Sequence, residues 1–127
     1  MMKVFSLILA LTTISFSNAF AENISRPYFP ICGATVGALY VHEVKTEGKP
    51  DKYMHCSISC VMSIYCGPID SIEIGILKEV YDSMGFGDPD IQDLKADQKG
   101  IKIAIELQRN FNASRPACYQ ACSKAFP

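Results

Sequence analysis

The sequence predicts an all-α protein, a small four-helix bundle stapled by three disulfides and preceded by an irregular N-terminal arm. Three observations carry that reading. Cys56 and Cys60 stand four residues apart, as do Cys118 and Cys122, so each pair shares one face of a helix. Beyond Asp51, apolar residues recur at helical spacing. Gly67-Pro68 and the run Gly85 to Pro89 then cut that stretch into helix-length segments.

Taken in order, residues 1–21 read as a cleavable export signal. Lys3 supplies the positive start, Val4 to Ile14 the apolar run, and Ala19-Phe20-Ala21 a small-x-small cleavage site. The run is shorter than the roughly 20 apolar residues of a bilayer span, so no transmembrane segment is expected after cleavage near Glu22. Residues 22–50, rich in Pro, Gly and polar side chains, form the arm, tied down by Cys32 and with a strand near Ala38 to Val44. Residues 51–127 make up the helical, disulfide-linked domain. Pro50-Asp51 opens its first helix, in which Tyr53, Met54, Ile58, Val61, Met62 and Tyr65 are apolar. A second runs from Pro68 or Ile69 to Met84 and carries Ile69, Ile72, Ile76, Leu77, Val80 and Tyr81 as its apolar stripe. A third spans Asp90 to Asn110, with Leu94, Ile101, Ile105 and Leu107. Ser114 caps a short last helix that has Pro116 in its first turn.

Two helices running antiparallel would join Cys56 to Cys122 and Cys60 to Cys118, which leaves Cys32 for Cys66; other connectivities stay open on sequence alone. A zinc site is disfavoured, because the cysteines lack CxxC knuckles and have no nearby histidine pair. Bridges imply an oxidising destination, periplasmic or secreted. Asn23 and Asn112 head glycosylation sequons, which matter only in a eukaryotic source. The formal net charge is −1 and no basic cluster appears, so no nucleic-acid partner is expected. Phosphate-loop and nucleophile-elbow motifs are also missing.

A polar pattern sits among these apolar helices. Gly75, Glu79 and Asp82 share one face of the second helix, and Asp93, Asp97 and Gly100 share one face of the third. Glycine within a helix costs about 1 kcal/mol relative to alanine, and close helix approach is the usual reason for it. If Gly75 faces Gly100, those acids gather near Asp51, Lys52 and His55 at the start of the first helix. His55 with Glu79, Asp82, Asp93 and Asp97 would then form a catalytic cluster, with Asp51 and Lys52 orienting the imidazole. Packed carboxylates persist only if protonated or balanced by Lys, His or a metal ion, so a divalent metal is a candidate cofactor. A solvated acidic face paired with Lys52, Lys78, Lys95 and Lys99 explains the same spacing. His42 reads as a surface histidine.

The order Asp51-Lys52-x-x-His55, Gly75-x-x-Lys78-Glu79-x-x-Asp82, Asp93-Leu94-x-Ala96-Asp97-x-x-Gly100 resembles the YfiM-like bacterial envelope lipoproteins, and more loosely the VanZ-like membrane proteins. The likeness covers roughly residues 51–100 and implies an envelope protein whose polar residues are set among apolar helices. The chain departs from that pattern in its six cysteines, its lack of a lipid-attachment cysteine and its less hydrophobic helices. A weaker similarity, through Asp51-Lys52-Tyr53-x-His55, Gly67-Pro68 and the acidic stretch to Gly100, is to serum amyloid A, which implies a helical bundle able to hold lipid. The expected function is an exported envelope protein whose buried His/carboxylate cluster serves metal-assisted or acid–base hydrolysis of an envelope component. The alternative is a non-catalytic interaction or lipid-binding module, with an envelope lipid or protein as partner, in which the cluster only specifies helix packing.

Overall fold

In the computed structural model the described residues are 31–45 and 48–127. The export signal and the Asn23 sequon lie outside them. Helix α1 spans Ile31–Lys45, α2 Asp51–Cys66, α3 Pro68–Tyr81, α4 Ile91–Arg109 and α5 Arg115–Ala125, with a π-type turn at Asp82–Phe86 extending α3. The described residues contain no strand, and the all-α expectation holds.

The helix boundaries follow from local chemistry. The Pro50 carbonyl accepts the Tyr53 N–H at 3.0 Å and so starts α2. Gly67 ends it at φ 94°, a left-handed conformation natural to glycine, and donates its N–H to the Ser63 carbonyl at 3.0 Å. Pro68 then opens α3 at a position where an N–H would find no intrahelical partner. Asp90 and Ser114 cap α4 and α5 by accepting from Gln92 at 2.8 Å and Ala117 at 3.3 Å. The two-residue notch at Gly67-Pro68 thus sets where α3 leaves α2.

One segment differs from expectation. Residues 31–45 form a helix where the sequence reading placed irregular chain and a strand near Ala38 to Val44. The deciding stripe is Gly33, Val36, Gly37, Tyr40 and Val44, which is helical in period and turned inward. Two of its members are glycines, so hydrophobicity alone hides it. Those glycines let α1 approach closely: a methyl on Gly33 would sit 3.1 Å from Met62 Sδ and 3.1 Å from Ile74, and one on Gly37 would sit 3.1 Å from Met62 Cε. The Gly33 N–H also donates to buried Asp70 on α3 at 3.0 Å.

Helix α2 runs through the middle. Tyr53, Cys56, Cys60 and Val61 are buried with Val44 of α1, Ile103 and Ala104 of α4, and Cys118 and Cys122 of α5. Bridges Cys56–Cys122 and Cys60–Cys118 join α2 to α5 with Cα separations of 5.8 and 5.7 Å, and Cys32–Cys66 joins α1 to the end of α2. All three are the expected pairs.

The two glycines thought to face each other do not. A side chain on Gly100 would fall on the Cys56 carbonyl and come within 3.0 Å of the Cys60 nitrogen, so Gly100 lets α4 lie against the α2 backbone. Gly75 of α3 instead faces the Asp97 carboxylate and Leu94 of α4. Each glycine opens a different interface, and both interfaces pull α4 inward. The apolar stripe of α3, moreover, lies outside: Ile69, Ile72, Ile76 and Val80 are exposed, while Ser71, Gly75 and Asp82 are buried.

Candidate functional site

The polar faces of α2, α3 and α4 meet around His55. This residue is 8 % exposed, one turn from Asp51 and one turn from Ser59 along α2. Its Nδ1 lies 3.1 Å from Asp97 Oδ1, and the Ser59 hydroxyl donates to the same oxygen at 2.9 Å. On the other side of the ring, Nε2 lies 3.3 Å from Asp93 Oδ2 and 3.9 Å from Asp51 Oδ1. Asp93 and Asp97 are one turn apart on α4, so one helix face grips both nitrogens of the ring. The Ser71 hydroxyl of α3 donates to the Ser59 carbonyl at 3.1 Å and pins α3 against this part of α2.

Two lysines complete the cluster. Lys52 pairs with Asp93 and, at 2.6 Å, with Asp90, and it reaches Asp51 at 3.4 Å. Lys78 pairs with Asp82 at 2.7 Å, Glu79 at 3.4 Å and Asp93 at 3.6 Å. The sequence reading treated Lys78 as a surface partner; its ammonium is instead the link between α3 and the acids of α4. Glu79 accepts the Asp90 backbone N–H at 2.9 Å, and Asp82 serves Lys78 beside Gly87, where a side chain would collide with its carboxylate. The structure therefore brings together His55, Asp93, Asp97, Asp51 and Lys52. It places Glu79 and Asp82 one shell away, through Lys78, and does not bring them to the imidazole.

The electrostatics follow from that placement. Burial pushes the His55 pKa down, but the Asp97 hydrogen bond and the charges of Asp97, Asp93 and Asp51 outweigh it, so the net shift is upward. Burial pushes Asp93 up, yet the Lys52 hydrogen bond and the charges of His55, Lys52 and Lys78 hold it below the usual carboxylate value. The hydrogen bonds to Asp90 and Asp93 raise Lys52 well above an ordinary lysine. Burial lowers Lys78, but Asp82 and its acidic neighbours raise it on balance. Carboxylates still outnumber cations here, since Asp51, Glu79, Asp82, Asp90, Asp93 and Asp97 face only Lys52, Lys78 and one imidazole.

That excess of oxygen donors suits a cation. Nε2 of His55 with Asp93 and Asp51 offers ligand atoms all within 4.8 Å of one another. Two donors each about 2.1 Å from an ion lie no more than about 4.2 Å apart, and the distances from Nε2 fall inside that limit. Asp97 on Nδ1 fixes the ring so that Nε2 points to the prospective ion, the carboxylate–histidine arrangement that orients metal ligands. Ser59 was missed by sequence reasoning, although its spacing of one turn from His55 marks the same face. A small groove of about 130 Å³ reaches the cluster between Met54, Ile58, Met62 and Ile74.

Compared with protein-family models, with curated proteins and with solved structures, the chain finds a match in none of the three, and its role is argued from this geometry.

Proposed function

We propose that the His55 cluster is a divalent-metal centre of an exported envelope protein, held in the periplasm or secreted, and that it serves metal-assisted hydrolysis. The single observation that supports the reading is the divided imidazole. Asp97 holds Nδ1, while Nε2 faces Asp93 and the exposed carboxylate of Asp51. His55 Nε2, Asp93 and Asp51 would be the ligands, with Asp97 and Ser59 behind them. No cysteine is free to act as a nucleophile among the described residues, and a metal lowers the pKa of bound water enough to supply one. Asp51, with its side chain 59 % exposed, lies on the solvent side, where substrate would approach.

A second reading has its own support. Lys52 and Lys78 both pair with Asp93, and such a network can hold three helices in register without any ion. Calorimetric titration with Zn²⁺ and Mn²⁺ separates the two. The metal reading expects saturable binding that His55→Gln and Asp93→Asn abolish while far-UV dichroism and the three bridges stay intact. A ligand at about 100 times its Kd stabilises by about 2.7 kcal/mol, so the melting temperature should also rise with metal and fall with EDTA. A midpoint indifferent to both leaves the packing network as the function of the cluster.

A further inference from the structure

The outward stripe of α3 does not stand alone. Between it and α4 runs a groove of about 450 Å³, walled by Ile72, Ile76, Leu94 and Ile101. That volume falls within the roughly 300–1,000 Å³ typical of small-molecule sites. Its α4 edge carries Lys95 and Lys102, seven residues apart and so on one helix face, with Lys99 between them. These lysines have no acidic partner among the described residues, unlike Lys52 and Lys78, which are fully engaged. Asp97 lines the floor, but His55 and Ser59 already occupy its Oδ1.

We propose that this groove binds a single amphiphile, an acyl chain with an anionic head group. The chain lies along Ile72, Ile76, Leu94 and Ile101, and the head group pairs with Lys95 and Lys102. Apolar walls alone would accept many occupants. Charge complementarity selects this one: the exposed cations at the rim are unpaired and outnumber the one acid in the lining, which is bonded through Oδ1 to His55 and Ser59. Covering the half-exposed Ile72 and Ile76 with an acyl chain removes their apolar surface from water. The inference does not need a metal at His55, because the chain-binding walls and the lysine rim lie outside the proposed ligand set.

The test uses the oxidised, disulfide-intact protein in EDTA and decanoate below its micellar concentration. Calorimetry should show saturable one-to-one binding of decanoate, with decyltrimethylammonium at least about tenfold weaker, a difference set by charge-assisted pairing to the rim. Lys95→Glu with Lys102→Glu should cost decanoate about tenfold or more, and Ile72→Asn with Ile76→Asn should remove binding. All four positions are exposed, so these variants should keep wild-type helicity and wild-type Zn²⁺ titration, which separates this result from the fate of the metal reading. Equal binding of the cationic amphiphile would overturn the proposal. So would an absence of saturable decanoate binding, or binding confined to phosphatidylglycerol vesicles. Concentration-dependent dimerisation that the Ile72→Asn/Ile76→Asn variant abolishes would also overturn it, by showing that a second copy covers the face.

Discussion

His55 is held between Asp97 and Asp93, and its upward pKa shift makes a definite statement about stability. A histidine whose folded pKa lies above its unfolded value stabilises the native state fully below the unfolded value, near 6.5, and loses that contribution as pH rises through the folded value. Asp93 is shifted the other way. Its contribution is present above the unfolded value of 3.8 and disappears as pH falls through the lower folded value. In EDTA the native state should therefore be more resistant to urea at about pH 5.5 than at about pH 8.5. His55→Gln should flatten that difference while lowering stability at the acid end. A wild-type midpoint that rises from acid to alkaline pH would contradict the imidazolium clamp. At this scale the sequence was informative about members and poor about partners. His55, Asp93 and Asp97 were legible as one-turn repeats, but Glu79 and Asp82 share that repeat and still face Lys78. Spacing along one helix does not reveal the azimuth at which the next helix arrives.

The helices show the same division between period and orientation. Boundaries at Gly67-Pro68, Asp90 and Ser114 were readable, because caps and breakers act within a few residues of themselves. Helix α1 was not, since its inward stripe is built partly from Gly33 and Gly37, whose contribution is close approach rather than hydrophobicity. In α3 the period of the apolar stripe was legible in the sequence, while its outward direction was not. The buried side belongs to Asp70, Ser71, Gly75 and Asp82; Asp70 accepts from Gly33 of α1, Ser71 donates to Ser59 of α2, and Asp82 pairs with Lys78 one turn back. The two notch glycines make this separation testable. Alanine at Gly100 must push α4 off the α2 backbone, which cannot yield locally, so a loss of about 3 kcal/mol is expected. Alanine at Gly75 meets only the end of the Asp97 side chain, at 2.9 Å. That carboxylate can swing aside, so at about pH 8.5, where the imidazolium contribution is already lost, Gly75→Ala should unfold near the wild-type midpoint, while releasing Nδ1 of His55 and lowering the histidine pKa. Proton NMR titration of the imidazole, beside urea unfolding, reads both effects. Equal destabilisation by the two alanines would refute the assignment of the glycines to different interfaces.

Across the whole molecule, the bridges compensate for a core that spends buried volume on polar groups. Ser57, Ser59, Ser63, Asp70, Asp93 and Asp97 are all buried beside a hydrophobic cluster rich in cysteine. Cys56–Cys122 and Cys60–Cys118 are nested rungs between α2 and α5, with sequence separations of 66 and 58. Either one alone constrains the unfolded chain by about 4 kcal/mol in the loop-entropy description. The second rung then closes only a ring of roughly eight residues, worth about 2.5 kcal/mol. Removing one rung by paired Cys→Ala substitution should therefore cost distinctly less than half of what removing both costs, after the cavity left by each pair is matched. Cys32–Cys66, with a separation of 34, closes a loop that overlaps theirs between Cys56 and Cys66, so its loss should add only in part to theirs while loosening α1 first. Hydrogen exchange on Cys32→Ala/Cys66→Ala should show the amides of α1 losing protection before those of α2, while His55 keeps its NMR titration, because its clamp is made of α2 and α4. If α2 and α4 lose protection together with α1, the terminal bridge is holding the site itself, and the molecule is one cooperative unit rather than a stapled α2–α4–α5 centre carrying α1 on a tether.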